Sequence, residues 1–238
     1  MKKDKNVVRF IPKHQFVPAY APQPELMSKN LPAWWRKQEP YSGGKREVIN
    51  AQYNETVKKC PGILDLLVSG YLLKTPCDIY VDTTGEEIIF DVATNHRDSV
   101  SMHTRQQVSG WTYDREYYMD DVFRIHPMWV VGTSPGYSTL FVHPSFQDDL
   151  PFRIVPAIID TDKYISDGPF SLLFKRGFKG VIEQGTPLVQ CIPYLREEHT
   201  MEILDKPDLQ QLDSLPKVLR SKFGGAYKKF FQTKKVFK

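Results

Sequence analysis

From Phe123 to Leu195 the chain is cut into short apolar runs, FRIHPMWVV, GYSTLFVHP, FRIVPAIID, PFSLLF, GVIE and PLVQCIPYL, separated by stretches that contain Gly, Pro or Asp. Runs of this length between turn-forming residues predict strands rather than helices, and many of them in succession predict an all-β barrel or sandwich with helices at its ends. The composition agrees: 13% of residues are aromatic, with 18 Pro and 14 Gly. At 238 residues and 41% hydrophobic content, the chain can fill one β-rich domain with extensions, or two small ones.

Upstream, residues 1–55 read as a Pro-rich extended arm, because Pro12, Pro18, Pro22, Pro24, Pro32 and Pro40 interrupt every helix and Gly43-Gly44 marks a turn. Trp34-Trp35 is the aromatic pair that would anchor this arm, on the chain's own core or on a neighbour. A β domain follows over residues 56–200. It opens with PGILDLLVSG (Pro61 to Gly70), which has the leading proline and trailing glycine of a short helix. YLLKTPCDIYVD and EEIIFDVA then flank Thr83-Thr84-Gly85 as a hairpin. The polar stretch near 94–121 has weak periodicity and is expected to be an insertion or long loop bearing specificity or an interface.

Residues 201–238 form a basic tail. Ser214 to Lys238 holds eight Lys and Arg and no acidic residue, which leaves the rest of a chain of net charge +4 mildly acidic. Leu215, Leu219, Phe223, Tyr227 and Phe230 are spaced as one stripe of an amphipathic helix, although Gly224-Gly225 weakens it. Such a helix would dock on protein with its lysines in solvent; the alternative is a surface for nucleic acid. No run approaches the roughly 18 apolar residues of a membrane span, and no apolar segment follows the Met-Lys-Lys-Asp-Lys start as a secretory signal requires. The reading is therefore a soluble cytosolic chain, neither secreted nor membrane-spanning. Cys60, Cys77 and Cys191 are too far apart for a metal clip and are expected to be buried free thiols. His96, His103, His126 and His143 lack carboxylate or Cys neighbours at ligand spacing, so no metal site is predicted. Asp148-Asp149 reads as a turn rather than a Mg²⁺ site.

Within Thr75 to Tyr194, several segments resemble the motifs of the dUTPases. TPCDIYVD is similar to their early Ala-Gly-Tyr-Asp-Leu strand, with Asp78 on the motif's Asp. SPGYSTLFVHPSFQ resembles the strand that delivers Pro-Arg-Ser-Ser to the substrate phosphates, but Pro144-Ser145 here has no Arg between. AIIDTDKY resembles Gly-Val-Ile-Asp-x-Asp-Tyr, with Asp160 on the water-activating Asp and Tyr164, one residue later than usual, on the base-stacking Tyr. EQGTPLVQCIP keeps Gly185 and Gln190 of Gly-Asp-Arg-Ile-Ala-Gln, and KFGGAYKK faintly resembles the Gly-rich C-terminal motif. PAWW, TVKKCPGILDLL, SPGYSTLFVHP and EQGTPLVQCIPY also resemble a family found in tailed phages of marine bacteria, one with no assigned activity.

The resemblance implies a dUTPase-like β-clip barrel and assembly as a homotrimer or in a larger viral structure, in a host cytoplasm or a virion; the Pro-rich arm and the amphipathic C-terminal helix are the parts suited to protein partners. The missing phosphate-binding Arg is a planar bidentate donor that neither His nor Ser replaces. A non-enzymatic virion or assembly protein without cofactor is therefore the first expectation. The alternatives are a nucleoside triphosphate pyrophosphatase or deaminase, with Asp160, Tyr164 and Asp78 catalytic and Mg²⁺ as cofactor, and a nucleotide-binding module without turnover.

Overall fold

The computed structural model describes residues 6–49, 52–165, 168–205 and 226–238. They form an all-β protein with short helices, as the run lengths predict. In chain order the strands are β1 (Val8–Pro12), β2 (Glu25–Leu26), β3 (Val48–Ile49), β4 (Gln52–Tyr53), β5 (Tyr71–Lys74), β6 (Ile79–Asp82), β7 (Ile89–Asp91) and β8 (Val100–Met102). They continue as β9 (Tyr118–Ile125), β10 (Trp129–Thr133), β11 (Tyr137–Val142), β12 (Phe152–Ile154), β13 (Ala157–Ile159), β14 (Phe170–Lys175), β15 (Lys179–Ile182) and β16 (Pro187–Leu195).

The chain divides into two compact units, the first made of residues 1–30 and 70–196 and the second of residues 31–69 and 197–238. In the first, the strands join in sheets ordered β13-β11-β16-β5-β2, β12-β14-β9-β8 and β15-β6-β7, with β1 paired to β10. None of these sheets closes on itself as a barrel. Their inward faces share one core that includes Leu73, Ile79, Val81, Phe123, Phe141, Phe152, Phe174 and Val189. The alternation of buried and exposed residues along Phe152-Arg153-Ile154 shows how one strand serves both this core and the outer surface.

Two expected runs change sheet at a proline. YLLKTPCDIYVD divides at Pro76 into β5 and β6, and FRIVPAIID divides at Pro156 into β12 and β13, each half pairing in a different sheet. Proline removes a ladder donor and fixes φ, so the strand ends there and the chain leaves its sheet. The hairpin around Thr83-Thr84-Gly85 is present, with Asp82 opposite Ile89.

The polar stretch 94–121 is more ordered than its periodicity implied. It contains β8, which pairs with β9, and a helical turn, Arg105–Val108, closed by a Thr104/Gln107 capping box. Polar residues are accommodated in β8 because Ser101 and the following His103 bond across the sheet, to His126 Nε2 and Ser171 Oγ, both at 3.0 Å.

In the second unit, Pro61 starts a helix running to Leu67, as expected. Trp35 is buried while Trp34 is partly exposed, the two rings meeting edge to face at 5.6 Å. Lys58 Nζ lies 4.9 Å from the Trp35 ring centroid and bonds the Trp35 carbonyl. Of the basic tail, Ala226–Phe230 is helical; Leu215, Leu219, Phe223 and Gly224-Gly225 lie outside the described residues. Gln232 and Lys235 both bond the Asp65 carboxylate, at 2.8 and 2.7 Å. Lys235 is thus held by an acidic group of its own unit.

One cysteine departs from the sequence expectation. Cys77 and Cys191 are buried, but Cys60, next to the helix-starting Pro61, is exposed. Burial pushes the Cys77 thiol up to about 11 and Cys191 further still.

Gly70 has φ +76°, and a Cβ there would stand 2.0 Å from the Cys191 carbonyl oxygen. Gly177 has φ +79° with open space around it. Gly177→Ala is therefore expected to cost about 1 kcal/mol, the backbone penalty alone. Gly70→Ala should cost at least about 3 kcal/mol, because β5 must also withdraw from β16. Chemical denaturation of the two variants beside the parent checks the ranking, and equal losses would refute the steric account.

Candidate functional site

β13 ends at Ile159, and the chain turns immediately: the amides of Lys163 and Tyr164 both donate to the Asp160 carbonyl, at 2.9 and 2.8 Å. The turn points alternate side chains in opposite directions. Thr161 goes inward, where its hydroxyl meets Thr133 Oγ1 and Thr139 Oγ1, each at 2.8 Å, in a fully buried hydroxyl cluster. Asp160 and Asp162 flank it and converge on one guanidinium, that of Arg196, just beyond the end of β16.

Arg196 donates to both oxygens of Asp162, at 2.8 and 2.6 Å, a bidentate pair. Its Nη1 lies 3.0 Å from Asp160 Oδ1 and 3.0 Å from the Tyr137 carbonyl. Ser138 donates its hydroxyl to Asp160 Oδ1 at 2.7 Å, and the Gly136 amide donates to Asp162 Oδ2 at 2.7 Å. These bonds favour the charged forms. Arg196 and the Gly136 amide lower the Asp162 pKa to about 2, and the Ser138 hydroxyl followed by Arg196 lowers that of Asp160. An acid so stabilised as a carboxylate, and already accepting two donors, is a weak proton acceptor for a water.

The other sequence candidates lie elsewhere. Asp78 is exposed just before β6 in the three-stranded sheet and accepts the Gln184 amide at 2.7 Å. It shares no hydrogen-bond partner with Asp160 among the described residues. Tyr164 is exposed; its ring borders a crevice of about 10 Å³ beside Trp129 and Phe170, too small for a ligand. Gly185 occupies its turn with φ +86°. Gln190 is buried in β16, and its Oε1 accepts both the amide and the hydroxyl of Ser145, at 3.1 and 2.7 Å. Two of the resembling segments thus meet in the folded chain through Gln190 and Ser145.

His143 is wedged between the Gln147 carbonyl and the Ile154 amide, and burial lowers its pKa. Among the described residues no group of three or more His, Cys, Asp or Glu is placed to hold a metal ion, and no helix is long and apolar enough to cross a membrane.

Sequence reasoning missed Arg196, Asp162 and Ser138. The signal was present in Asp-Thr-Asp, two acids separated by one residue that the turn brings to a single cation.

No family model and no curated protein matches this sequence. Among solved structures, the dUTPase of Staphylococcus bacteriophage 80alpha with dUpNHpp is 11% identical over 78% of this chain and 89% of its own, with a TM-score of 0.32. A second variant of that phage dUTPase is 9% identical over 78% and 97%, with a TM-score of 0.31. At such scores the likeness is partial and says nothing of this chain's chemistry.

The Asp162 pair predicts an acid-sensitive fold. Its folded pKa is depressed to about 2, against about 3.9 for an unfolded Asp, so its stabilisation is complete above about pH 4 and is lost as pH falls through 2. The Tm of the parent should drop over that interval. Asp162→Asn should start from a lower Tm at pH 7 and fall less between pH 4 and 2. Parallel melting curves across the series would contradict this assignment.

Proposed function

We propose that this chain is a non-enzymatic phage protein that works by association, as a structural or assembly component built from several copies of itself. The observation that carries the reading is the engagement of Asp160: the one acid positioned by resemblance to activate water is instead part of a clamp that joins the turn after β13 to the residue after β16. Arg196 is occupied in the same clamp, so it is not the missing phosphate donor.

A second feature supports association. β13 is an edge strand, hydrogen-bonded only to β11 among the described residues. Its Ile158 is 60% exposed, and Tyr164 and Ile165 beyond the turn are each 61% exposed. An uncharged apolar edge of this kind is a template for pairing with another chain, and soluble proteins normally blunt it with charge or cover it. A homotrimer or a larger viral assembly would cover it with a neighbouring copy.

Two measurements test the reading. Purified protein with Mg²⁺ and dUTP should release no pyrophosphate above background; robust release abolished by Asp160→Asn would replace the proposal with the pyrophosphatase alternative. Light scattering should give a mass of three or more copies, and Ile158→Lys should lower it while leaving the circular dichroism spectrum unchanged. A parent that remains monomeric at high concentration would count against self-association.

A further inference from the structure

A cleft in the first unit lies between the outer face of the β12-β14-β9-β8 sheet and the stretch 110–118, and has a volume of about 560 Å³. That is within the range of small-molecule sites. Its floor follows from register. Arg153 stands opposite Leu173, and Leu173 opposite Val122, so all three share the face turned away from the main core. There Leu173 and Val122 form a separate apolar cluster with Val108, bordered by Tyr113 and Tyr118. Trp111 forms part of the wall and keeps 38% of its surface exposed.

Two of the lining rings are held in place. Tyr113 donates its hydroxyl to the Asp120 carbonyl at 3.1 Å, and the Arg115 guanidinium sits 4.7 Å from its ring centroid. Tyr118 packs edge to face on Tyr117 at 4.8 Å. Rigid aromatic walls recognise flat rings at little entropic cost.

The charges around the cleft are unequal in what they have left to offer. Asp120 is held by Arg115 and Arg176, and Asp121 by Arg105 through two bonds. Asp114, the carboxylate of the lining, turns Oδ1 to the amides of Glu116 and Tyr117 at 3.0 and 3.1 Å. Arg153 lines the same cleft, is exposed, and makes no ion pair or side-chain hydrogen bond among the described residues. A guanidinium lining an aromatic cleft, with its five donors unengaged, matches an anionic group carried on a flat ring.

We infer that this cleft binds a planar aromatic anion, its ring against Trp111 and Tyr113 and its phosphate or carboxylate on Arg153. The site is separate from the Asp160 clamp and does not depend on the absence of hydrolysis there.

Calorimetric titration of the full chain tests it with AMP and 2-naphthoate as ring-bearing anions, adenosine as the ring without charge, and ribose 5-phosphate as charge without the ring. AMP, 2-naphthoate or both should bind more tightly than adenosine and ribose 5-phosphate; which of the two binds tells a phosphate source from a carboxylate one. Arg153→Gln should weaken the anion at least about tenfold, as loss of a charge-assisted bond implies, and leave adenosine unchanged. Trp111→Leu should weaken every ring-bearing ligand, with melting curves confirming that both variants are folded. Absence of heat for both anions at millimolar concentration overturns the inference. So does binding that neither substitution alters, or ribose 5-phosphate binding as well as AMP.

Discussion

The close approach of Gly70 to the Cys191 carbonyl is the constraint on which the first unit is assembled. β16 is hydrogen-bonded on both sides, to β11 and to β5, and β5 begins at the residue after Gly70. Only a residue without Cβ, in a backbone conformation that side chains disfavour, lets the chain enter β5 so near to β16. Through that pairing Leu188, Val189 and Cys191 are buried, and Gln190 is brought to the Ser145 amide and hydroxyl. A buried amide side chain without such partners would be costly; with them it ties the loop after β11 to the central strand.

The same strand decides the fate of Asp160. β16 runs on to Leu195, and Arg196, whose amide donates to the Gly136 carbonyl, emerges where the turn after β13 presents two carboxylates. One cation shared by two acids avoids leaving like charges unopposed at adjacent positions. The paired charges hold two neighbouring strand ends together. The Thr133-Thr139-Thr161 cluster beneath fixes the turn from the inside.

Local features of this fold were legible in the sequence wherever one short segment determines them. Pro61 and Gly70 bracket a helix that ends at Leu67, the turn at Thr83 to Gly85 makes a hairpin, and the apolar runs become strands. What the sequence did not disclose is partner choice. The divisions at Pro76 and Pro156 could be read as interruptions, but which sheet each half joins depends on contacts between distant residues. β8 was hidden because polar residues in it and just after it, Ser101 and His103, are satisfied by His126, next to the end of β9, and by Ser171 of β14. Arg196 was hidden for a similar reason: its acids lie 34 and 36 positions earlier in the chain, and nothing adjacent to it marks a site. Cys60 was misjudged because average burial of cysteine was applied to a residue whose neighbours, Lys58, Lys59 and Pro61, belong to a helix start at the surface.

Where folding engages a group, its donors and acceptors are committed within the chain; where folding leaves one unengaged, they remain open to a partner. Three acids of the polar stretch, Asp114, Asp120 and Asp121, and the Asp160-Asp162 pair are engaged in this way, each bonded to a cation or to backbone amides. Arg153 and Ile158 are different. Both come from the single run FRIVPAIID, and the break at Pro156 sends one to the outer face of the four-stranded sheet and the other to the open edge of the five-stranded sheet. A continuous strand would have placed both in one ladder, with the edge it left exposed carrying a charge that discourages pairing. Dividing it separates the charge from the apolar edge, so that one short segment carries a cation beside an aromatic cleft and an uncharged strand at an open sheet edge.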